Sequence, residues 1–301
     1  MITVIGSINL DLIATVERLP SPGETVPGDS FKTAPGGKGA NQALAAARAG
    51  ASVRMIGSVG SDAFAREATA LLAEGGVELS GVHGSDQPTG VALILVGGDG
   101  ENVIAVVPGA NGRVTPEAVA RAAIVREEHV VLQHEVPLDT VEAALDAARA
   151  SGAVSLLNTA PFRREASRLL AKADYVIANE TEFDLYAATL ALGGADRLAQ
   201  MRAFAEKTGR TVVVTLGSEG VIAATPDAML KVGALKVTPI DTVGAGDTFC
   251  GYLAAGLSAG LPLEQALRRA AAAGSLACLK PGAQPAIPTA KEVDHALAGS
   301  D

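Results

Sequence analysis

Two glycines and two carboxylates lie within residues 241–247, whose sequence is Asp-Thr-Val-Gly-Ala-Gly-Asp. Glycine allows the backbone to turn tightly and to approach a ligand, and the apolar residues 248–260 predict a buried helix beginning here. The first N–H groups of a helix are unpaired and carry the positive end of its dipole, so they form an anion site without lysine or arginine. The sequence predicts such a site at Gly244, Ala245 and Gly246.

Asp247 lies inside this predicted anion site. A carboxylate there has two interpretations: a helix-start residue that the dipole stabilises, or a general base beside a bound phosphate. Two well-known nucleotide motifs do not apply. A Walker A loop requires Ser or Thr after Gly-Lys, whereas Gly39 follows Lys38, and the Rossmann fingerprint requires a third glycine where Phe249 stands.

The amino-terminal segment also carries polar residues at a predicted strand end. Residues 2–6 form a short apolar run typical of a buried parallel strand, and Asn9 and Asp11 follow it. Because residues i and i+2 of an extended segment point to one face, this amide and carboxylate converge and suit a polyol. An Asx turn that ends the strand is the alternative.

A second glycine-rich helix start occupies residues 36–41, Gly-Gly-Lys-Gly-Ala-Asn, ahead of an alanine-rich helix expected to reach about residue 49. Its glycines again permit close backbone approach, and Asn41 on the first turn can reach the same ligand as Asn9 and Asp11. A flexible loop with a helix cap is the alternative interpretation. Two such helix starts in one chain weaken that alternative.

Later strand ends carry polar residues as well. Glu135 follows an apolar run and either caps the next helix or faces the crevice, and its position favours the crevice. His134 has no second histidine at metal spacing, so we interpret it as a core or rim residue. Asn179 and Glu182 have the spacing of a capping box. The next strand is expected to end in a close turn at Thr215, Leu216, Gly217, Ser218, Glu219 and Gly220.

From residue 115 onward, predicted helices and strands alternate, which is typical of an α/β fold with a doubly wound, mostly parallel sheet flanked by helices. One of the expected helices spans residues 163–171. Two segments of strand character, at about 12–34 and 89–107, are expected to pair into a small β-sheet lid over the crevice. Apolar outer positions of that lid favour self-association. We treat residues 1–301 as one domain.

The composition limits the function further. The chain has 301 residues, 48% hydrophobic, with a net charge of -9 and a pI near 5.0, enough for a full core. No run approaches the roughly 18 apolar residues of a membrane span, and the start lacks a basic leader region, so we expect a cytoplasmic protein without a membrane partner. The acidic balance argues against nucleic acid. Cys250 and Cys278 are expected to be free buried thiols.

These motifs, in this order, resemble the ribokinase family of sugar kinases over essentially the whole chain. The resemblance implies transfer of the γ-phosphoryl group of ATP to the 5-hydroxyl of D-ribose, with a Gly-Ala-Gly anion site and an aspartate base. A related kinase for deoxyribose, a nucleoside or another sugar is one alternative, and a non-catalytic sugar-binding protein is another. The implied sugar contacts are Asn9, Asp11, Gly37, Lys38, Gly39, Ala40, Asn41, Glu135 and Asp247.

The resemblance also implies ligands beyond the sugar. Nucleotide and Mg2+ contacts would come from Gly246, from Asn179 and Glu182, and from the turn 215–220. A K+ site would use Asp241, Val243, Ala277, Lys280 and Gly282. The chain departs from the family pattern at Ala286, where a serine often contributes to the cation site, and at Ala271, where a polar side chain often meets the nucleotide. The resemblance finally implies a homodimer through the lid.

Overall fold

The computed structural model describes residues 1–299 and places most strands in one large sheet. Parallel pairing joins all its strands except the last two, which are antiparallel. The mostly parallel, doubly wound prediction is therefore confirmed, although the first and the last two strands of the spatial order were not predicted. That order is β5 (Glu78–Ser85), β4 (Val53–Gly60), β1 (Ile2–Ile5), β8 (His129–Leu132), β9 (Val154–Asn158), β10 (Tyr175–Asn179), β11 (Thr211–Thr215), β12 (Val221–Ala224), β13 (Met229–Val232).

The strand order reverses at β1, which pairs with β4 on one side and β8 on the other. Ligands of open α/β sheets bind in the crevice beyond the carboxyl ends of strands at such a switch point. The residues that follow β1 and β8 therefore meet in one crevice, as the sequence predicted for Asn9 and Glu135.

Helices cover both faces of this sheet. Ile2 and Val4 of β1 pack in one hydrophobic cluster and Ile5 in the other, as the alternation of side chains along a strand requires. The helices are α1 (Lys38–Arg48), α2 (Ala63–Glu74), α3 (Pro116–Ala122), α4 (Leu138–Ser151), α5 (Glu180–Thr189), α6 (Arg197–Thr208), α7 (Ala245–Ser258), α8 (Leu263–Ala277), α9 (Ala283–Ala286) and α10 (Ala290–Ala298). Among the described residues, no helix is long and apolar enough to cross a membrane.

One predicted helix has a different form. The segment expected as an α-helix over residues 163–171 is a run of 3-10 turns, Arg164–Lys172. Its buried residues include Ala166 and Leu169, three positions apart. A spacing of three places side chains directly above one another in a 3-10 helix, so the tighter winding keeps both against the sheet.

A separate small sheet is built from the two predicted insertions. It consists, in spatial order, of β3 (Gly28–Gly36), β2 (Asn9–Val16), β6 (Gly90–Gly97) and β7 (Asn102–Val107). The two insertions meet where β2 pairs with β6 in parallel. This confirms the predicted pairing of the two segments.

The first turns of α1 and α7 lie against each other because of glycine. A Cβ atom on Gly251 of α7 would lie 2.5 Å from both the Gln42 carbonyl oxygen and the Ala45 Cβ of α1, so no larger residue fits without movement. Each helix is also preceded by a glycine at positive φ, 89° for Gly37 and 76° for Gly244. The two glycine-rich helix starts predicted from the sequence thus converge.

Candidate functional site

Asp247 lies on the first turn of α7 and is buried, with 7% of its surface exposed. Each carboxylate oxygen accepts one hydrogen bond from α1. Asn41 Nδ2 donates to Oδ2 and Gln42 Nε2 donates to Oδ1, both at 2.9 Å. A buried carboxylate is costly without such partners, so the two amides satisfy and orient it.

Asp247 lines two of three neighbouring cavities. A cavity of about 630 Å³ is lined by Asn9, Asp11, Gly37, Lys38, Asn41, Glu135, Val243, Gly244 and Asp247 among others. A cavity of about 500 Å³ is lined by Thr215, Gly217, Ser218, Gly220, Ala245 and Gly246 among others. A smaller one of about 220 Å³ shares Lys38, Gly244 and Asp247 with the first and Thr215 and Gly246 with the second. We name them the first, second and connecting cavities.

The predicted polyol pair lies in the first cavity. Asn9 Oδ1 accepts a hydrogen bond of 2.7 Å from Asn111 Nδ2, and Asn111 also bonds both backbone groups of Ile8. Burial first, and then the charges of Glu135 and Asp247, raise the pKa of Asp11 to about 6. Asn111 lies in the 3-10 turn Gly109–Arg113, and it was missed from the sequence because Ile8 and Asn9 become its neighbours only in the fold.

Glu135 faces the crevice, as its position favoured, and it also caps a helix other than the next one. Its Oε2 accepts from Ser7 Oγ at 2.5 Å and from the Lys38 backbone N–H, the first of α1, at 3.0 Å. A carboxylate at a helix start is stabilised by the dipole. Gly39 and Ala40 are buried beneath this contact, and Gly39 N–H donates to Ser7 Oγ at 3.2 Å.

Lys38 is a cation close to these carboxylates, and Arg163 also lines the first cavity. The charge of Asp247 is the largest cause that raises the pKa of Lys38, and the charges of Glu135 and Glu182 add to it against the effect of burial. Lys38 lines both the first and the connecting cavities. A protonated amine there can contact an anion that passes between them.

The capping box at the start of α5 is confirmed. Asn179 Oδ1 accepts from the Glu182 N–H at 2.8 Å, and Glu182 Oε2 accepts from the Asn179 N–H at 3.1 Å. Both residues also line the connecting cavity. One oxygen of Glu182 therefore remains for a ligand.

The turn after β11 lies at the second cavity. Gly217 and Gly220 have positive φ, 55° and 98°, which brings the backbone close to the cavity. Leu216 and Glu219 belong to the same turn but do not line the second cavity. Ala271 lines it with a methyl group.

The predicted cation residues lie outside these cavities, apart from Val243. Asp241 Oδ1 accepts from the Val243 N–H at 3.0 Å, and its Oδ2 accepts from the Gly282 N–H at 2.8 Å, so this carboxylate joins two loops. Lys280 pairs with Glu292 at 3.4 Å, and Ala277 and Ala286 are buried. Within residues 1–299, no cluster of three or more His, Cys, Asp or Glu could hold a metal.

His134 and the two cysteines differ partly from expectation. His134 is buried, and burial lowers its pKa to about 4; its Nδ1 bonds the Thr159 carbonyl at 3.1 Å, whereas its Nε2 has no partner in the described part of the chain. It is therefore only half satisfied. Cys250 is buried and free, but Cys278 is partly exposed, at the end of α8.

A glycine-preceded helix start, a buried carboxylate on its first turn and joined cavities at the switch point of a doubly wound sheet are the features expected of an α/β phosphotransferase. The sequence matches the pfkB family of carbohydrate kinases over residues 1–290, and the chain belongs to that family.

Individual relatives agree over nearly the full length. A ribokinase of Lactococcus lactis is 38% identical over 299 residues, covering 98% of this chain and 96% of the relative. The crystal structure of a ribokinase from Thermotoga maritima superposes with a TM-score of 0.92 at 29% identity and 99% coverage of both chains. The structure of an Arabidopsis thaliana ribokinase complexed with ribose and ATP superposes with a TM-score of 0.86 at 31% identity, covering 98% of both chains.

The raised pKa of Asp11 predicts a stability effect with a definite sign. With a folded-state pKa of about 6 against a reference value of 3.8, stability is lost as pH rises between these values. Asp11→Asn should therefore raise the free energy of unfolding at pH 8 by up to about 3 kcal/mol, and the gain should fade as pH falls from 6 to 4. Urea unfolding of both proteins across this range measures it.

Asp62→Asn is the matched control. The Asp62 carboxylate accepts hydrogen bonds from the Thr89 and Ala65 backbone N–H groups, so the same change should lower stability. An Asp11→Asn protein no more stable than the wild type at pH 8 would contradict the raised pKa of Asp11.

Proposed function

We propose that this protein is an ATP-dependent ribokinase that phosphorylates the 5-hydroxyl of D-ribose and releases ribose 5-phosphate and ADP. The observation that carries the proposal is the position of Asp247, which lines both the first and the connecting cavities on the first turn of α7. The similarity to ribokinases over nearly the full chain supports the choice of sugar.

The first cavity is the proposed sugar site. Asn9 and Asp11 offer an amide and a carboxylate on one face of β2, and Asn41 adds a second amide beside Asp247. Hydroxyl groups of a pentose donate to the carboxylates and accept from the amide N–H groups and Lys38. The second cavity then holds the nucleotide against the turn 215–220, with its phosphates toward Gly246 and the connecting cavity.

In the proposed reaction, Asp247 accepts the proton of the 5-hydroxyl as that oxygen forms a bond to the γ-phosphorus. The bond between this phosphorus and the bridging oxygen breaks, and its electron pair leaves with ADP. The N–H groups at the start of α7 and the Lys38 amine face the charge that develops on the transferred group. Positioning and charge stabilisation supply most of the rate enhancement in such reactions.

Two cations complete the proposal. The free oxygen of Glu182 suits Mg2+, which binds to one or two protein carboxylates plus substrate phosphates. Mg2+ would neutralise phosphate charge, and Asn179 and Glu182 would hold it beside the connecting cavity. Asp241 and nearby backbone carbonyls suit K+, because the carboxylate uses only one N–H partner on each oxygen.

Asp11 and Asn9 belong to the small sheet, which we propose acts as a lid over the sugar within a single domain. Ala92, Ile94, Ile104 and Val106 of β6 and β7 line the first cavity and would exclude water from it. Deoxyribose or a nucleoside is a second candidate substrate, because each carries the same primary 5-hydroxyl group.

We expect ribose-dependent release of ADP, measured by a coupled assay over ribose, deoxyribose, fructose and nucleosides, with the highest kcat/KM for ribose. Asp247→Ala should lower kcat by about 10²–10⁴, the range for loss of a general base, while the KM for ribose changes less. Calorimetry of ribose binding checks that the variant keeps its sugar site.

Asp139→Ala is the control, because Asp139 also lies on the first turn of a helix, α4, and is exposed. If Asp247 were only a helix-start residue, both variants would keep the wild-type kcat. Sugar binding without ADP release from any tested substrate would instead favour a binding protein.

We propose that the outer face of the small sheet forms a homodimer. The register places Phe31 and Val103 in one row on the face away from the cavity, and they are 67% and 56% exposed. Phe31→Lys combined with Val103→Lys should convert a dimer into a monomer at micromolar concentration. In a two-fold dimer both protomers contribute the same surface, so each introduced charge would occur twice in the interface. Sedimentation velocity measures this conversion.

Val125→Lys is the control, since Val125 is 49% exposed outside both sheets. A wild-type protein that sediments as a monomer, or a double variant that stays dimeric, would rule out this interface.

Potassium activation tests the proposed cation site. Ala286 offers no hydroxyl ligand, so we expect a weak site in which water fills the gap. Ala286→Ser should then lower the K+ concentration for half-activation without changing kcat at saturation. The measurement is a K+ titration of both proteins in which a bulky organic cation holds ionic strength constant, and a wild-type rate independent of K+ would remove this site.

A further inference from the structure

Gln42 follows Asn41 on α1 but does not line any of the three cavities. Its side chain is fully buried and makes three hydrogen bonds. Nε2 donates to Asp247 Oδ1 at 2.9 Å and to Asn158 Oδ1 at 3.3 Å, while Oε1 accepts from Gln133 Nε2 at 2.7 Å. Gln42 therefore meets Asp247 from the protein interior, opposite the cavity.

The orientation of this amide follows from the carboxylate. An ionised Asp247 only accepts hydrogen bonds, so Gln42 must turn its NH₂ group toward Asp247. Its oxygen then faces Gln133, which must donate, and Gln133 Oε1 is left without a partner within residues 1–299. Asn158 is fixed in turn, because its Nδ2 donates to the Ile177 carbonyl at 3.3 Å. Rotating the Gln42 amide by half a turn would break all three bonds.

Close packing of two helices makes this contact reachable. Gly251, one turn along α7 from Asp247, leaves no room for a Cβ against the Gln42 carbonyl and Ala45. Gly6 likewise leaves space for Gln133, since a Cβ on Gly6 would lie 2.0 Å from Gln133 Oε1. Small residues on both sides thus allow the buried amides to approach Asp247.

We propose that Gln42 is a positioning residue for Asp247. It fixes Oδ1 from behind and stabilises the ionised carboxylate, which leaves the remaining lone pairs of Asp247 directed to the sugar hydroxyl. This inference rests on the proposed function, because it assigns Gln42 a task in proton transfer. Asn41 contacts the other oxygen from within the first cavity. Of the two neighbouring amides, Asn41 can therefore also contact the substrate, whereas Gln42 contacts the base but not the substrate.

Gln42→Leu keeps the size of the side chain and removes the donor. We expect kcat to fall by about 10–100-fold, with the KM values for ribose and ATP within about threefold of wild type. The acid limb of the kcat profile should move to higher pH by about one unit, because a hydrogen bond to the charged form is lost. Steady-state kinetics from pH 5 to 9 measure all three quantities.

Gln42→Glu is the second variant, of the same shape as the native side chain. At pH 8 the introduced carboxylate should repel Asp247 and lower kcat more than Gln42→Leu does. At lower pH it takes up a proton and can donate an O–H to Asp247, so the deficit relative to Gln42→Leu should shrink. A merely structural role for Gln42 would give no such pH-dependent difference between the two variants.

Gln133→Leu is the matched control, since Gln133 is equally buried and contacts Gln42 but not Asp247. We expect a comparable loss of thermal stability and a kcat within about threefold of wild type. Equal losses of kcat in Gln42→Leu and Gln133→Leu, in proportion to their Tm values, would overturn the proposal.

Titration of the Asp247 carboxyl carbon by NMR in ligand-free protein separates this inference from the proposed function. The midpoint should rise in Gln42→Leu and stay unchanged in Gln133→Leu, whatever the substrate. A wild type inactive on every sugar, together with this rise, would refute the proposed kinase activity but support the effect of Gln42 on the Asp247 carboxylate. An active kinase with an unchanged midpoint and kcat in Gln42→Leu would refute the role of Gln42 alone.

Discussion

The contact between the first turns of α1 and α7 is the constraint on which the site depends. It joins residues that are 206 positions apart in the sequence, Asn41 and Asp247, through a hydrogen bond of 2.9 Å. A carboxylate this deeply buried is tolerated only with hydrogen-bond partners in place. The glycines at 37, 244 and 251 are needed because they let both helices begin, and then pack, close enough to provide them.

Electrostatic repulsion is the second feature of the site. Asp11, Glu135 and Asp247 line one cavity, and the cations Lys38 and Arg163 line it as well. The Glu135 carboxylate is stabilised by hydrogen bonds from the first N–H of α1 and from Ser7, and the Asp247 carboxylate by hydrogen bonds from two amides. Within residues 1–299, Asp11 has no comparable hydrogen-bond partner, so burial and the charges of Glu135 and Asp247 raise its pKa to about 6. Ligand hydroxyls that donate to the Asp11 carboxylate would relieve this cost.

The sequence predicted the features that depend on local patterns. The glycine turn before Asp247 and the capping box at Asn179 follow from short spacings and are present in the structure. The pairing of the two insertions was predicted from their strand character, although it joins residues as distant in the chain as Asn9 and Gly90. Strand β5 was missed because Glu78–Ser85 contains two glycines and lacks the sustained alternation of apolar and polar residues that indicates a strand. The 3-10 form of Arg164–Lys172 was missed because helical periodicity does not separate spacings of three and four.

Gln42 and Asn111 were missed for another reason, since their partners become neighbours only after folding. Gln42 is adjacent to Asn41 on α1, yet about 100° further around the helix, and this rotation separates a cavity-lining residue from one that faces the interior. Only the packing of α7 shows which group Gln42 meets. Asn111, in a 3-10 turn, likewise acts through Ile8 and Asn9, more than 100 residues away.

The buried amides also bear on the choice between a kinase and a sugar-binding protein. Binding a pentose requires groups that meet its hydroxyls, and we propose that Asn9, Asp11 and Asn41 on the first cavity supply them. Gln42, Gln133 and Asn158 line no part of that cavity, and Gln133 Oε1 stays unpaired among the described residues. An unpaired buried carbonyl costs free energy that sugar binding does not require. The unpaired carbonyl is understandable if the orientation of Asp247 matters beyond its charge, which is the requirement on a base that must accept one proton from one hydroxyl.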